Sequence, residues 1–359
     1  MAIQEEKGRS ALINSFLEDL NWRMTKIYGT EIPEAISKHL NQEIAYLQAV
    51  PENKLTVYLT ILDAVSHCSH PTNSPTPYQP CLIAYLYGLV KTDPVNIVPP
   101  EMSLAYPLNI YFETCNLSDA FIMDEIKKRF GEEKLIIHPQ TENLIHVLFD
   151  DRTINKKKAM ENRHGLLYEA DLEESDKAVQ VTLLRHPLLE AAYAALEEMP
   201  LSAILDEKVF EDLIERGCIG GFNGDAVHKT MKMLQPRDIV TLARAVQIGN
   251  WHLTDSSRIF AFREDVYYAL IENGMSSSDA ARLARNLDQA RQPRADKEME
   301  LLIKHVDQQF LDDCFQVHFR PSLLSFIGAA YYALALSKLR MENPDKYEDL
   351  AKAYRLNYD

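Results

Sequence analysis

Residues Phe260 to Leu287 read Phe-Ala-Phe-Arg-Glu-Asp-Val-Tyr-Tyr-Ala-Leu-Ile-Glu-Asn-Gly, then Met-Ser-Ser-Ser-Asp-Ala-Ala-Arg-Leu-Ala-Arg-Asn-Leu. Val266, Ala269 and Leu270 fall at helical spacing, and Gly274 follows Asn273 at the place of a left-handed C-cap. Ser276 with Asp279 three residues on resembles a capping box, with Asp for the usual Glu. Ala280, Leu283 and Leu287 then repeat on one face. The stretch predicts two helices about a glycine stop. On pattern alone it is a helical hairpin that suits any all-α domain.

Upstream, residues 10–28 predict an amphipathic helix, with Ile13, Phe16, Leu17, Leu20 and Met24 on one face. Pro33 opens a second helix at its first turn, whose apolar side carries Ile36, Leu40 and Ile44. Helices are also expected over Leu55 to Ser66, Cys81 to Leu89 and Ser118 to Phe130, and an apolar strand over Leu144–Phe149. Asp150 and Asp151 after that strand are consecutive, so they would face opposite ways and suit a turn better than a metal.

At 359 residues the chain is long enough for one large or two medium domains. Its hydrophobic content of 46% and charged content of 25% are those of an ordinary soluble globular protein. No uncharged run reaches membrane-spanning length, and the polar start Met-Ala-Ile-Gln-Glu-Glu-Lys does not suit a signal peptide, so no membrane partner is expected. Five scattered cysteines without a Cys-x-x-Cys pair indicate a reduced, cytoplasmic chain with no structural zinc. His67, Cys68 and His70 lie close together, but no second ligand cluster accompanies them. A net charge of -15 argues against tight binding of DNA, whose phosphates demand Lys and Arg. Lys156-Lys157-Lys158 is the one basic cluster and suits a solvated loop.

Several motifs, in order, resemble the palm and fingers of bacterial C-family replicative DNA polymerases of the PolC type. Arg263-Glu264-Asp265-Val266, a tyrosine, Leu270-Ile271 and Gly274 are similar to that family's Cys-Arg-Asp-Asp-Ile-Met, Tyr-Leu-Ile and Lys-Gly-Leu. Ile32-Pro33-Glu34 resembles its entry to the palm. Thr92-Asp93-Pro94-Val95-Asn96-Ile97-Val98-Pro99-Pro100 is similar to Thr-Glu-Val-Asn-Pro-Leu-Pro-Pro. Tyr106 to Phe112 resembles Pro-Asp-Ile-Asp-Leu-Asn-Phe, and Phe130-Gly131-Glu132-Glu133 resembles Phe-Gly-Glu-Asp. His164 to Asp176 is similar to the segment that carries the third catalytic aspartate, and Gly220 to Val240 and Phe310 to His318 resemble further parts of the fingers.

The resemblance covers roughly residues 28–350 and implies an α+β, predominantly helical fold: a degenerate, nucleotidyltransferase-like palm with a mostly helical fingers domain. The implied boundaries are an N-terminal helix over 1–30, a palm-like domain over 31–190 and a fingers-like helical domain over 191–359. It also implies a lost active site. Where the family holds two magnesium ions on paired aspartates, this chain has Asn109 and Tyr111, leaving Asp171 at the third position. The family's glycine-rich triphosphate loop is replaced by residues 70–80, which hold four prolines and no glycine and so lose backbone N–H donors. The fingers helix that faces the nucleotide with basic residues reads Ser322-Leu323-Leu324-Ser325-Phe326-Ile327-Gly328, a core or partner surface. Lys338 and Arg340 persist near its end as a charge complement to a helix C-terminus.

No catalytic site is intact, and no cofactor-binding or metal residue is expected, magnesium only if activity survives. The function implied is a catalytically inactive homologue that binds or regulates, linked to DNA replication, with a protein partner favoured over DNA by the acidic charge. Two alternatives stand beside it. One is a nucleotidyltransferase using other carboxylates, such as Glu113 with Asp171. The other is a DNA-binding replication accessory.

Overall fold

The computed structural model describes residues 2–68, 72–73, 80–90, 92–95, 97–103, 108, 110–114, 116–137, 144–148, 178–185, 189, 191–192, 201–219, 222, 224–250, 260–287, 296–317 and 320–356. The chain is predominantly helical, with one five-stranded sheet. It divides into two compact units that interleave in sequence. Unit 1 comprises Met1–Ser74, Tyr78–Val95 and Tyr106–His186; unit 2 comprises Pro75–Pro77, Asn96–Ala105 and Pro187–Asp359. Among the described residues, no helix is long and apolar enough to cross a membrane.

Among the described residues, the α-helices of unit 1 are α1 (Ala2–Tyr28), α2 (Glu34–Ala49), α3 (Glu52–His67), α4 (Cys81–Leu86) and α5 (Asn116–Phe130). Leu20 and Met24 of α1 are buried, as the apolar periodicity requires, and Gly29 stops the helix at a φ of 82°. Pro33 and Pro51 stand immediately before α2 and α3, where the fixed φ of proline suits a helix entry. Helix α4 was expected to continue to Leu89 but ends at Leu86. Gly88 takes a φ of 78°, and the N–H groups of Leu89 and Val90 both turn back to the Ala84 carbonyl.

The sheet holds β1 (Thr72–Asn73), β2 (Ile110–Thr114), β3 (Leu135–Ile137), β4 (Leu144–Leu148) and β5 (Ala178–Arg185) in the order β1-β2-β5-β4-β3. Strands β2 and β5 run parallel, and every other neighbouring pair is antiparallel. Ile110, Phe112 and Thr114 alternate into the core with Val179, Val181 and Leu183 of the partner strand. Helix α5 packs across this parallel pair, and α3 packs on α5.

Unit 2 contains α6 (Glu207–Arg216), α7 (Asp225–Leu234), α8 (Ile239–Asn250), α9 (Arg263–Glu272), α10 (Ser277–Ala284), α11 (Asp296–His305), α12 (Gln308–Phe315), α13 (Leu323–Glu342) and α14 (Pro344–Leu356). Helix α13 is its spine. Every residue from Ala330 to Ser337 is buried, the mark of a helix enclosed on all sides, and α6, α8 and α14 pack on it. Leu323, Leu324 and Ile327 are buried too, so the apolar start of this helix is core. Arg340 stands in the last turn of this helix, where a charge complement to a helix C-terminus was expected, and also reaches across to α6. Its guanidinium pairs with Asp212 and donates to the Gly217 carbonyl at 2.8 Å, closing the C-terminal end of α6.

The α9–α10 hairpin forms about Gly274, which has a φ of 80°. Its N–H bonds the Ile271 carbonyl while that of Met275 bonds Leu270. The Ser276 hydroxyl oxygen accepts from the Asp279 N–H at 3.2 Å, and Ala280, Leu283 and Leu287 are fully buried.

Around this hairpin lies a buried polar network. Arg320 is 0% exposed, and its guanidinium donates to the carbonyls of Phe260 at 2.6 Å, Cys314 at 2.8 Å and Leu287. Arg263 donates from its backbone N–H to Pro321 and from Nε to the Arg320 carbonyl. Glu264 accepts from the Ser322 hydroxyl and the Leu323 N–H at the start of α13. Asp265 accepts from the Phe262 N–H at 3.0 Å, capping α9, and pairs with Arg244. The Arg-Glu-Asp motif therefore serves internal architecture.

Candidate functional site

Of the residues singled out for catalysis, two lie on β2 and the others lie outside the described residues. Tyr111 lies on β2, in register with Thr182 of β5. Asn109 and Asp171 lie outside the described residues, as do most of the proline-rich loop, Asp150-Asp151 and Lys156-Lys157-Lys158. Glu113, between Leu184 of β5 and Asn73 of β1, is buried. The sequence of β5 (Ala-Val-Gln-Val-Thr-Leu-Leu-Arg) contains no acidic residue, so Glu113 is the one carboxylate that the parallel pair β2–β5 carries. Of the sequence-adjacent His67, Cys68 and His70, His67 is exposed and turned to its own helix, where Nδ1 lies 2.8 Å from the Asp63 carbonyl oxygen. Cys68 is half-buried, and His70 lies outside the described residues.

A different set of potential ligands comes together inside unit 1. His39 and Glu43 are one turn apart on α2, within the same stripe as buried Ile36, Leu40 and Leu47. Cys81 is the first residue of α4, which packs against α2. Packing brings the three side chains together from positions about forty residues apart. They are 3%, 0% and 1% exposed respectively. His39 Nε2 lies 3.1 Å from Glu43 Oε1, and Cys81 Sγ lies 3.4 Å from the same oxygen and 3.6 Å from His39 Nε2.

The carboxylate is held from the other side by backbone. Glu43 Oε1 accepts from the Leu82 N–H at 2.9 Å and Oε2 from the Ile83 N–H at 2.8 Å, so Glu43 fixes the start of α4. Tyr58 of α3 is fully buried, and its hydroxyl has no hydrogen-bond partner among the described residues. Burial, then the charges of Glu43 and other neighbours including Cys81, hold its phenol well above the ordinary range. Among the described residues this is the one group of three His, Cys or acidic side chains close enough to hold a metal ion. The sequence signal was a polar pair, four residues apart, inside the apolar stripe of α2. Cys81 had no such signal.

No protein-family model and no curated protein matches the chain.

Proposed function

We propose that the chain is a catalytically inactive relative of the palm-and-fingers region of PolC-type polymerases, acting as a binding or regulatory protein linked to replication. The reading rests on one observation: the parallel pair β2–β5 at the centre of the sheet carries a single carboxylate, Glu113. Two magnesium ions in phosphoryl transfer require several converging anionic oxygens, and Asn109 and Tyr111 supply none.

The burial of Leu323, Leu324 and Ile327 supports the same reading, because the helix that corresponds to the family's nucleotide-facing one is spent on the core. With a net charge of -15, the partner expected is a protein rather than a nucleic acid.

The test is calorimetric titration with magnesium and a deoxynucleoside triphosphate at low salt, alongside primer extension. The expected result is no magnesium-dependent heat at millimolar nucleotide and no extension. Magnesium-dependent binding that Glu113→Gln abolishes would refute the proposal. A steeply salt-dependent affinity for primer–template DNA would replace the protein partner with DNA.

A further inference from the structure

We infer that His39, Glu43 and Cys81 form a binding site for one zinc ion inside unit 1. The inference does not depend on the polymerase resemblance.

Hydrogen bonding alone does not satisfy every edge of this triangle. Glu43 Oε1 accepts from the Leu82 N–H, and both the Cys81 thiol and His39 Nε2 approach the same oxygen; the imidazole tautomer decides whether Nε2 donates there or accepts from the thiol. In either tautomer the available protons serve two edges of the triangle at most, so at least one of the three close approaches, between 3.1 and 3.6 Å, has no proton to share. A cation at the centre of the triangle removes the conflict. Sulfur, Nε2 and Oε1 each give it a lone pair, and Oε1 keeps its second for the Leu82 N–H.

The edges of the triangle fit a tetrahedral ion. Zinc bond lengths of about 2.0–2.1 Å to nitrogen and oxygen and about 2.3 Å to sulfur place ligand atoms about 3.3 Å (N–O), 3.6 Å (S–N) and 3.5 Å (S–O) apart. The distances found are 3.1, 3.6 and 3.4 Å. The donor set excludes magnesium and calcium, which take hard oxygen ligands, whereas thiolate with imidazole suits zinc.

The charges also balance. Binding releases the thiol proton to solvent, and His39 binds as the neutral imidazole with its proton on Nδ1. The Cys81 thiolate and Glu43 carboxylate then offset the two positive charges of the ion, leaving a neutral cluster where a net buried charge is costly. The two backbone N–H bonds to Glu43 orient the carboxylate as an outer shell does. Three protein ligands leave one tetrahedral position for a water.

The test uses the full chain without a histidine tag. Metal content is measured after chelator-free purification, and the chelated protein is then titrated with cobalt(II), read by thiolate-to-cobalt charge-transfer absorption. The expectation is about one zinc per chain and a saturable cobalt band. Cys81→Ser should lose the band, and His39→Gln should weaken binding by about 100-fold or more, beyond the loss typical of an outer-shell change. Cys68→Ser should bind as the parent does. Should both ligand variants misfold, the parent protein still decides the matter. No zinc after purification together with no cobalt band would overturn the site and leave Glu43 as a helix cap alone. A band unchanged in Cys81→Ser would overturn it equally.

Discussion

Replacing Arg320 by methionine keeps most of the side-chain volume and removes the guanidinium that ties three carbonyls together. Those carbonyls belong to Phe260 before α9, Leu287 after α10 and Cys314 near the end of α12. Three charge-assisted hydrogen bonds at about 1.5–3 kcal/mol each give a gross loss of about 5–9 kcal/mol. Relief from holding a buried cation returns several kcal/mol of this. The net expectation is a destabilisation of unit 2 by about 3–5 kcal/mol, typical of breaking a buried charged network. In urea, with a slope of about 2 kcal/mol/M, the midpoint of unit 2 should fall by about 2 M. Because the two units need not unfold together, the melt is read by hydrogen exchange on peptides from each. Exchange in α9, α10 and α12 should accelerate, while β2 and β5 keep their protection. Arg320→Lys should recover part of the loss, since an ammonium supplies point donors without the planar fork. If Arg320→Met melts within about 1 kcal/mol of the parent, the network is not what holds the hairpin in place.

Other outcomes follow from particular contacts in unit 2. Gly249→Ala would set a Cβ 2.5 Å from the Val227 Cα, backbone against backbone, so α7 and α8 must separate; a loss of about 2–3 kcal/mol in thermal or urea melts is expected. Burial is the main cause that raises the Glu264 carboxyl pKa above its ordinary 4.5. Between that value and the folded one, the native state holds more protons than the unfolded one. Glu264 therefore contributes stability that is full below about pH 4.5 and declines as pH rises through its folded pKa. Glu264→Gln should flatten that slope in urea midpoints taken across the acid range. Burial likewise pushes the Cys218 and Cys314 thiols up to about 11 and about 12. At pH 8, alkylation followed by mass spectrometry should therefore mark both only after denaturation.

Local rules were legible where one short segment settles the outcome. Gly274, Ser276 and the Val266–Leu270 spacing announce the hairpin because caps and periodicity act over single turns. Leu20 and Met24 of α1 behaved in the same way. Strand β5 was not foreseen, although Val179, Val181 and Leu183 alternate with Gln180 and Thr182 as a half-buried strand should. What makes it a strand is its pairing with β2 and β4, far away in sequence. Arg263-Glu264-Asp265 was visible as a motif, but its role depends on Arg320 and Ser322, about sixty residues further on. The His39–Glu43–Cys81 cluster escaped for the same reason. Half of it is written at helical spacing on α2, and the other half arrives only when α4 packs there.

The excursion of Asn96–Ala105 into unit 2 has a consequence during synthesis. Ile97 packs against the Phe262–Ile327 cluster, the short helix Pro100–Ser103 lies against α10, and Val98 and Met102 are buried. All of those partners are encoded later. At a translation rate of about 5–20 residues per second, the roughly 220 residues separating this segment from Ile327 take about 10–45 s to emerge. For that interval a short apolar segment waits on the nascent chain, while the remainder of unit 1, Tyr106–His186, is completed after it. Apolar surface left uncovered during synthesis is what chaperones exist to shield, and this segment is uncovered for longer than either of its flanks.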